Sequence, residues 1–274
     1  DSNGFFNNLI PLRFRKSVPV VNHVTLSGAI GIGTPMHPAL TLKSVNPVLE
    51  RAFKRKGLSA VAISINSPGG SPVQSALIHA RIRELSDEKK VPVIVFCEDV
   101  AASGGYWLAC AGDEIYVDRG SIIGSIGVIS ANFGAHELLG KVGVERRVYT
   151  AGKSKSMLDP FVPEKAADVK RLKGWLEELH GYFIDWVKSR RGIKLAQEAD
   201  LFTGEVWVGQ KGVDVGLADG IGHLVPTMKK KFGKETRFRR YGQKVSIAQR
   251  LGARIAGDAL GAVEERASFA RFGL

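Results

Sequence analysis

The chain has 274 residues, 44% of them apolar, and a formal net charge of +12. That length and apolar share suffice for a buried core in one or two domains and exclude a disordered or low-complexity chain. The two cysteines, Cys97 and Cys110, exclude a disulfide framework and offer no zinc-ligand spacing, so both read as small buried hydrophobes.

The opening, DSNGFFNNLIPLRFRK, lacks a continuous apolar core of signal-peptide kind. No stretch approaches the ~18–20 apolar residues of a membrane span. The chain does not begin with Met, which leaves room for a leader or anchor upstream; the expected location is membrane-associated or cytoplasmic. A strand is expected over 20–26, then the turn-rich SGAIGIGTP. Asn46 as N-cap and Pro47 at the first helical position start a helix over 46–56, which Gly57 ends. VAISIN (61–66) is an apolar strand, SPGGSP a turn, and 73–86 a helix. VPVIVFC (91–97) is a second buried strand, and EDVAASGG leads into a helix over 103–111. Strands are expected at 114–118 and 147–152, with the glycine-punctuated GSIIGSIGVIS between them. Over 163–190 the residues Val169, Leu172, Leu176, Leu179, Phe183 and Trp186 recur every three or four positions, which predicts a helix that buries one stripe along its whole length.

Repeated strand–turn–helix units argue for an α/β layered domain, assigned to 16–232. After Lys229 the composition shifts: KKKFGKETRFRRYGQK reads as a basic connector, and the remainder, 233–274, continues it into an amphipathic helix carrying Ile247, Leu251, Ile255 and Leu260. That helix would pack on the domain, on a neighbouring subunit or on a membrane surface. The two basic clusters, Arg13–Lys16 and Lys229–Arg240, read as solvated linkers or as a peripheral contact with an anionic membrane. With no zinc knuckle and no RNA-binding aromatic signature, no nucleic-acid partner is expected. No metal or cofactor is expected either.

Two turns carry the candidate chemistry. Asp99-Val100-Ala101-Ala102-Ser103-Gly104-Gly105-Tyr106 puts a serine where a buried strand gives way to a helix, in the physical manner of a nucleophile elbow but without the GxSxG spelling. Its small flanking residues let a substrate backbone approach, and the helix amides face developing negative charge. Asn66-Ser67-Pro68-Gly69-Gly70-Ser71 offers glycine amides unobstructed by side chains, which suits an oxyanion hole. Neighbouring strands would bring both turns to one sheet edge. A serine needs a base. His79 and His180 fall inside amphipathic helices as half-buried surface residues, and only His136 remains as a histidine candidate, with no acid to pair it. A lysine serves if neutral, which requires desolvation or nearby positive charge. Lys153 and Lys155, in GKSKSMLDPF with Met157, Leu158 and Phe161 nearby, compete for that role, and the residues alone do not choose between them.

SPGG, then AASGGYW about thirty residues on, then GSIGVI, then GKSKSMLDPF resemble, in order and spelling, the signal peptide peptidase A family (protease IV and SohB-like) across roughly 20–225. The resemblance implies a Clp protease/crotonase-like α/β fold and a Ser-Lys dyad that hydrolyses signal-peptide remnants or other hydrophobic peptides. It implies Ser103 as nucleophile, Lys155 as base with Lys153 a neighbour, Ser125 as the lysine's hydrogen-bonding partner, and oxyanion amides at Gly69 or Gly70 and at Gly104. It also implies self-association, since some short members complete the dyad across a subunit boundary or within an oligomeric dome. The chain departs from many members in showing no N-terminal anchor, and from the longer ones in holding one copy of the domain. Two rivals stand beside this reading. A crotonase-like acyl-CoA enzyme would need no serine-lysine pair, and a non-catalytic oligomeric scaffold in membrane-protein quality control would need no chemistry at all.

Overall fold

The computed structural model of the chain describes residues 18–31, 33, 39–152, 154–197, 200–242 and 267–273. Its strands are β1 (Val20–Ser27), β2 (Ala60–Ser67), β3 (Val93–Ala102), β4 (Glu114–Val117), β5 (Ile122–Gly124), β6 (Val206–Val208), β7 (Gly220–Ile221) and β8 (Arg237–Tyr241). They form one sheet in the order β6-β5-β3-β2-β1-β8, with β4 also on β3 and β7 on β4. Every pairing is parallel except β5 with β6. The outer edge of β3 is shared. Ile94–Cys97 pairs with β4, and Val100–Ala102 pairs with β5, so Ala102 lies opposite Gly124.

A parallel sheet needs cover on both faces, and its strands therefore read as continuous apolar runs. Val61, Ile63, Ile65, Val93 and Val95 point to one side, and Ala60, Ala62, Ile94 and Phe96 to the other. The first side is covered by α1 (Leu42–Phe53), α2 (Pro72–Lys89), α3 (Gly104–Ala109) and the C-terminal half of α5 (Ala166–Arg191). α4 (His136–Lys141) has no buried residue. α6 (Gln210–Asp214) follows β6, and α7 (Leu224–Phe232) covers the second side through Met228, Leu224 and Phe232.

Several local expectations change. α1 begins at Leu42, because Thr41 and Ser44 exchange capping hydrogen bonds of 3.2 and 3.0 Å. Pro47 therefore sits inside the helix, where the carbonyl it leaves unpaired is that of exposed Lys43, which water can satisfy. Residues 147–152 form no strand, since none of the described residues pairs with them. α5 is fully buried only at Phe183, Val187 and Arg191, so Val169, Leu172, Leu176 and Leu179 are half-buried rather than core. The polar stretch after residue 232 does not act as a connector throughout. Arg237–Tyr241 is β8, paired along β1 from Val20↔Arg237 to Val24↔Tyr241. An edge strand can carry arginines outward while Phe238 and Tyr241 pack, so its composition looks like a linker's. The expected amphipathic helix falls largely on 243–266, outside the described residues.

His79 is core rather than half-buried surface. It has no exposed area and meets the Trp186 ring edge-on at 4.2 Å. Burial, with help from Arg190 and Arg83, lowers its pKa to about 3. The unfolded chain takes up this proton near ~6.5. Between the two values the unfolded state binds more protons, so stability is complete above ~6.5 and falls as pH drops through that window. The loss at pH 5 should be about 2 kcal/mol. Urea denaturation at pH 7.5 and pH 5 should show it, and His79→Leu should shrink it; an identical pH dependence in that variant would refute the assignment.

Candidate active site

β3 ends at Ala102 and α3 begins at Gly104, leaving Ser103 as the corner residue with φ 53° and ψ −124°. A non-glycine residue in that conformation costs on the order of 1–3 kcal/mol and persists only where its surroundings over-determine it. They do so here. The Ser103 amide donates to the Gly124 carbonyl at 2.8 Å, and the Trp107 amide donates to the Ser103 carbonyl at 3.0 Å. Beyond the corner, the Tyr106 hydroxyl donates to the Leu217 carbonyl at 2.8 Å, and Trp107 stacks on Phe183 with ring centroids 4.7 Å apart. The side chain of Ser103 is half-buried, and its hydroxyl makes no hydrogen bond to a described residue.

The SPGG turn follows β2, the neighbour of β3, and packs backbone to backbone on the Ser103 corner. A Cβ on Gly69 would lie 2.8 Å from both the Gly104 nitrogen and the Ser103 Cβ. One on Gly105 would lie 2.4 Å from the Ser67 carbonyl oxygen, and one on Gly104 would come 3.3 Å from the Gly70 nitrogen. Side chains at these positions would push the two turns apart. Asn66 ties them further, donating to Asp99 at 2.8 Å and accepting from the Val100 amide at 3.2 Å. The Ile30 amide donates to the Gly69 carbonyl at 2.9 Å, and the Ser71 amide to the Ile30 carbonyl at 2.8 Å. The Gly69 amide is already directed at the Ser67 hydroxyl, 3.2 Å away. Among the described residues the amides of Gly70 and Gly104 have no acceptor.

Ser125 directly follows β5, as Ser103 follows β3, and the two strands are paired at their last residues. Its φ is 51°, and its amide donates to the Glu205 carbonyl at 2.7 Å. Ser103, Ser125, Gly69, Gly70 and Gly104 thus gather at the C-terminal edge of the parallel strands. Lys155 makes no hydrogen bond or ion pair to any of them through its side chain. It lies exposed in the turn 154–158, and its side chain bonds no described residue. Its segment is held instead by the Ala135 amide donating to the Pro160 carbonyl (2.6 Å), Arg146 with Asp159 (3.0 Å) and Arg171 with Met157 (3.4 Å). Of the expected apolar shield, Met157 and Leu158 are half-buried and Phe161 is exposed. Lys153 lies outside the described residues. His136 is exposed, whereas His180 bonds the Ile126 carbonyl at 3.0 Å, next to Ser125.

Sequence reasoning missed one neighbour of the site. Arg271, far along the chain, donates to the Pro68 carbonyl at 2.7 Å. Nothing in the motif spelling points to it, because the contact joins residues 203 positions apart.

A mostly parallel sheet under a helical layer, with these two turns at one edge, is the α/β fold of the Clp protease and crotonase group. Residues 85–233 match the model described as peptidase family S49, and the chain belongs to that family. It is 48% identical, over 99% of its length, to part of a protein named Na(+)/H(+) antiporter NhaA from Brucella melitensis, of which it spans 39%. It is 31% identical over 67% of its length to Protease 4 of Haemophilus influenzae, of which it spans 29%. The chain therefore covers less than half of either relative. A solved structure of the 1510-N membrane-bound stomatin-specific protease, a lysine-to-alanine mutant in complex with a substrate peptide, shares the fold. The TM-score is 0.51, at 16% identity, covering 87% of this chain and 98% of that one. Among the described residues no helix is long and apolar enough to cross a membrane.

Proposed function

We propose that the chain is a serine endopeptidase that cleaves hydrophobic peptides, signal-peptide remnants among them, by acyl transfer through a Ser103–Lys155 dyad. The observation that carries this reading is the strained Ser103 corner with two amides beside it, Gly70 and Gly104, that have no acceptor among the described residues. The hydroxyl attacks the scissile carbonyl while Lys155 takes its proton. The oxyanion that forms accepts from the Gly70 and Gly104 amides, which are fixed before the reaction begins. The protonated lysine then delivers its proton to the leaving amine, and water repeats the sequence on the acyl-enzyme. Ser125 orients the lysine amine. A non-catalytic scaffold would have no use for a corner held in so costly a conformation.

Within one chain Lys155 is exposed, so the desolvation that makes it a base comes from a second copy, and the active form is a homo-oligomer larger than a dimer. The apolar residues that stand out around the lysine segment, Phe133, Leu138, Val142 and Tyr149, supply the contact surface. The test is kcat/KM against pH. A lysine base acts only when neutral, and free lysine titrates near ~10.4, so the rate should climb through neutral pH into the alkaline range. Ser125→Ala should lower that limb without abolishing it. A limb near ~6.5 that vanishes in His136→Ala would replace the dyad by a histidine mechanism.

A further inference from the structure

The parallel strands have two rims. Ser103 and the SPGG turn lie at the C-terminal ends of β3 and β2, and the residues that lead into the strands lie at the opposite end. In the order β3-β2-β1-β8, three of the four lead-ins are basic. Lys54, Arg55 and Lys56 follow α1 ahead of β2, Lys90 follows α2 ahead of β3, and Lys234 and Arg237 stand before and at the start of β8. All six are exposed. α7 ends four residues short of β8, hence at the same rim, and adds exposed Lys229 and Lys230 from its last turn.

The stretches 54–59, 90–92 and 229–236 hold a single acid, Glu235. The acids beside them are already taken, Glu88 by Lys89 at 2.6 Å and Glu114 by Lys231 at 2.7 Å. Among the described residues none of the eight cations has a carboxylate partner. Charge on an edge strand is explained by protection against sheet-to-sheet pairing. That explanation covers Arg237 on β8 and stops there, because β2 and β3 are interior strands.

We propose that this rim is a docking face for an anionic bilayer surface. Its charges sit on separate loops at the ends of neighbouring strands, spread over about 15 Å at ~4.8 Å per strand, and so form a front rather than a groove. Six of the eight are lysines, point charges suited to a field of phosphates, where bidentate recognition would favour arginine. The aromatic residues of β8, Phe238 and Tyr241, pack against the core instead of standing out as platforms for nucleic-acid bases. The docking does not depend on the peptidase reading, but it gives that site an orientation. β3 is 10 residues long, so Ser103 stands about 30 Å from the rim, several times the ~8 Å screening length at physiological salt. A docked molecule turns Ser103 toward water, where it receives peptides that have already left the bilayer.

Cosedimentation of the full chain with vesicles tests the face. The protein should bind phosphatidylcholine vesicles containing about one-third phosphatidylglycerol, release at ~1 M salt, and ignore pure phosphatidylcholine. Lys54→Gln/Arg55→Gln/Lys56→Gln and Lys230→Gln/Lys234→Gln/Arg237→Gln should each weaken binding on the order of 100-fold, about fivefold per charge. Glutamine at three exposed lysines around the start of α5, Lys165, Lys170 and Lys173, should leave binding near wild type. Equal weakening in all three variants, or equal binding to charged and uncharged vesicles, would overturn the proposal. So would tighter binding to a short DNA duplex than to the vesicles. Fluorophosphonate labelling of Ser103 should run at the same rate in bound and free protein. Labelling lost on binding would overturn the orientation; no labelling in either state would overturn the peptidase reading and leave the docking in place.

Discussion

Ser103→Ala should leave a folded protein whose peptidase activity has fallen by at least ~10³-fold. Two features make this a clean experiment. The Ser103 hydroxyl bonds no described residue, so its removal leaves no buried group without a partner. The hydrogen bonds that fix the corner, Ser103 amide to Gly124 and Trp107 amide to the Ser103 carbonyl, are made by backbone and survive in alanine. Thermal unfolding should therefore stay close to wild type while turnover disappears. The residual rate would come from the Gly70 and Gly104 amides and from substrate binding, neither of which the substitution touches. Near wild-type turnover in purified Ser103→Ala protein would transfer the chemistry elsewhere.

Lys155→Ala should be as damaging, and the Ser103→Ala/Lys155→Ala double variant hardly worse than either, because groups that act as a unit do not add. Lys153→Ala should be milder; if it proves the inactive one, the base has been placed two residues off. The exposure of Lys155 adds a sharper expectation. If the base reaches a serine on a neighbouring copy, mixing inactive Ser103→Ala and Lys155→Ala proteins should recover part of the activity, since some mixed contacts pair an intact serine with an intact lysine. No recovery after exchange of subunits would confine the dyad to one chain.

The parts of this molecule that were legible in the sequence are those fixed by short-range rules. VAISIN and VPVIVFC are strands buried on both faces, which leaves little room for polar residues, and Gly69, Gly104 and Gly105 stand where a Cβ would crowd the facing turn, as Gly70 stands where one would strike the Ile30 backbone. Their spelling therefore carried both the fold and the Ser103 corner. The choice between Gly69 and Gly70 did not follow from spelling. What distinguishes the two amides is a single hydrogen bond, from the Gly69 amide to Ser67, and the proposed role of Gly70 rests on it. β8 stayed hidden because an edge strand tolerates a linker's composition, and Pro47 misled because an exposed carbonyl can lose its helical partner to water. The surroundings of Lys155 were out of reach for a different reason. Nearby apolar residues in sequence do not amount to burial, and Met157, Leu158 and Phe161 leave the lysine exposed in a single chain.

The central claim is that Ser103 is an activated nucleophile, and the most direct measurement is the site of covalent labelling. Wild-type protein treated with a fluorophosphonate at pH 8, digested and read by mass spectrometry should carry one adduct, on Ser103, at a rate that drops sharply in Lys155→Ala. An adduct confined to another serine, or an unmodified Ser103 under conditions where the protein cleaves peptides, would contradict the account.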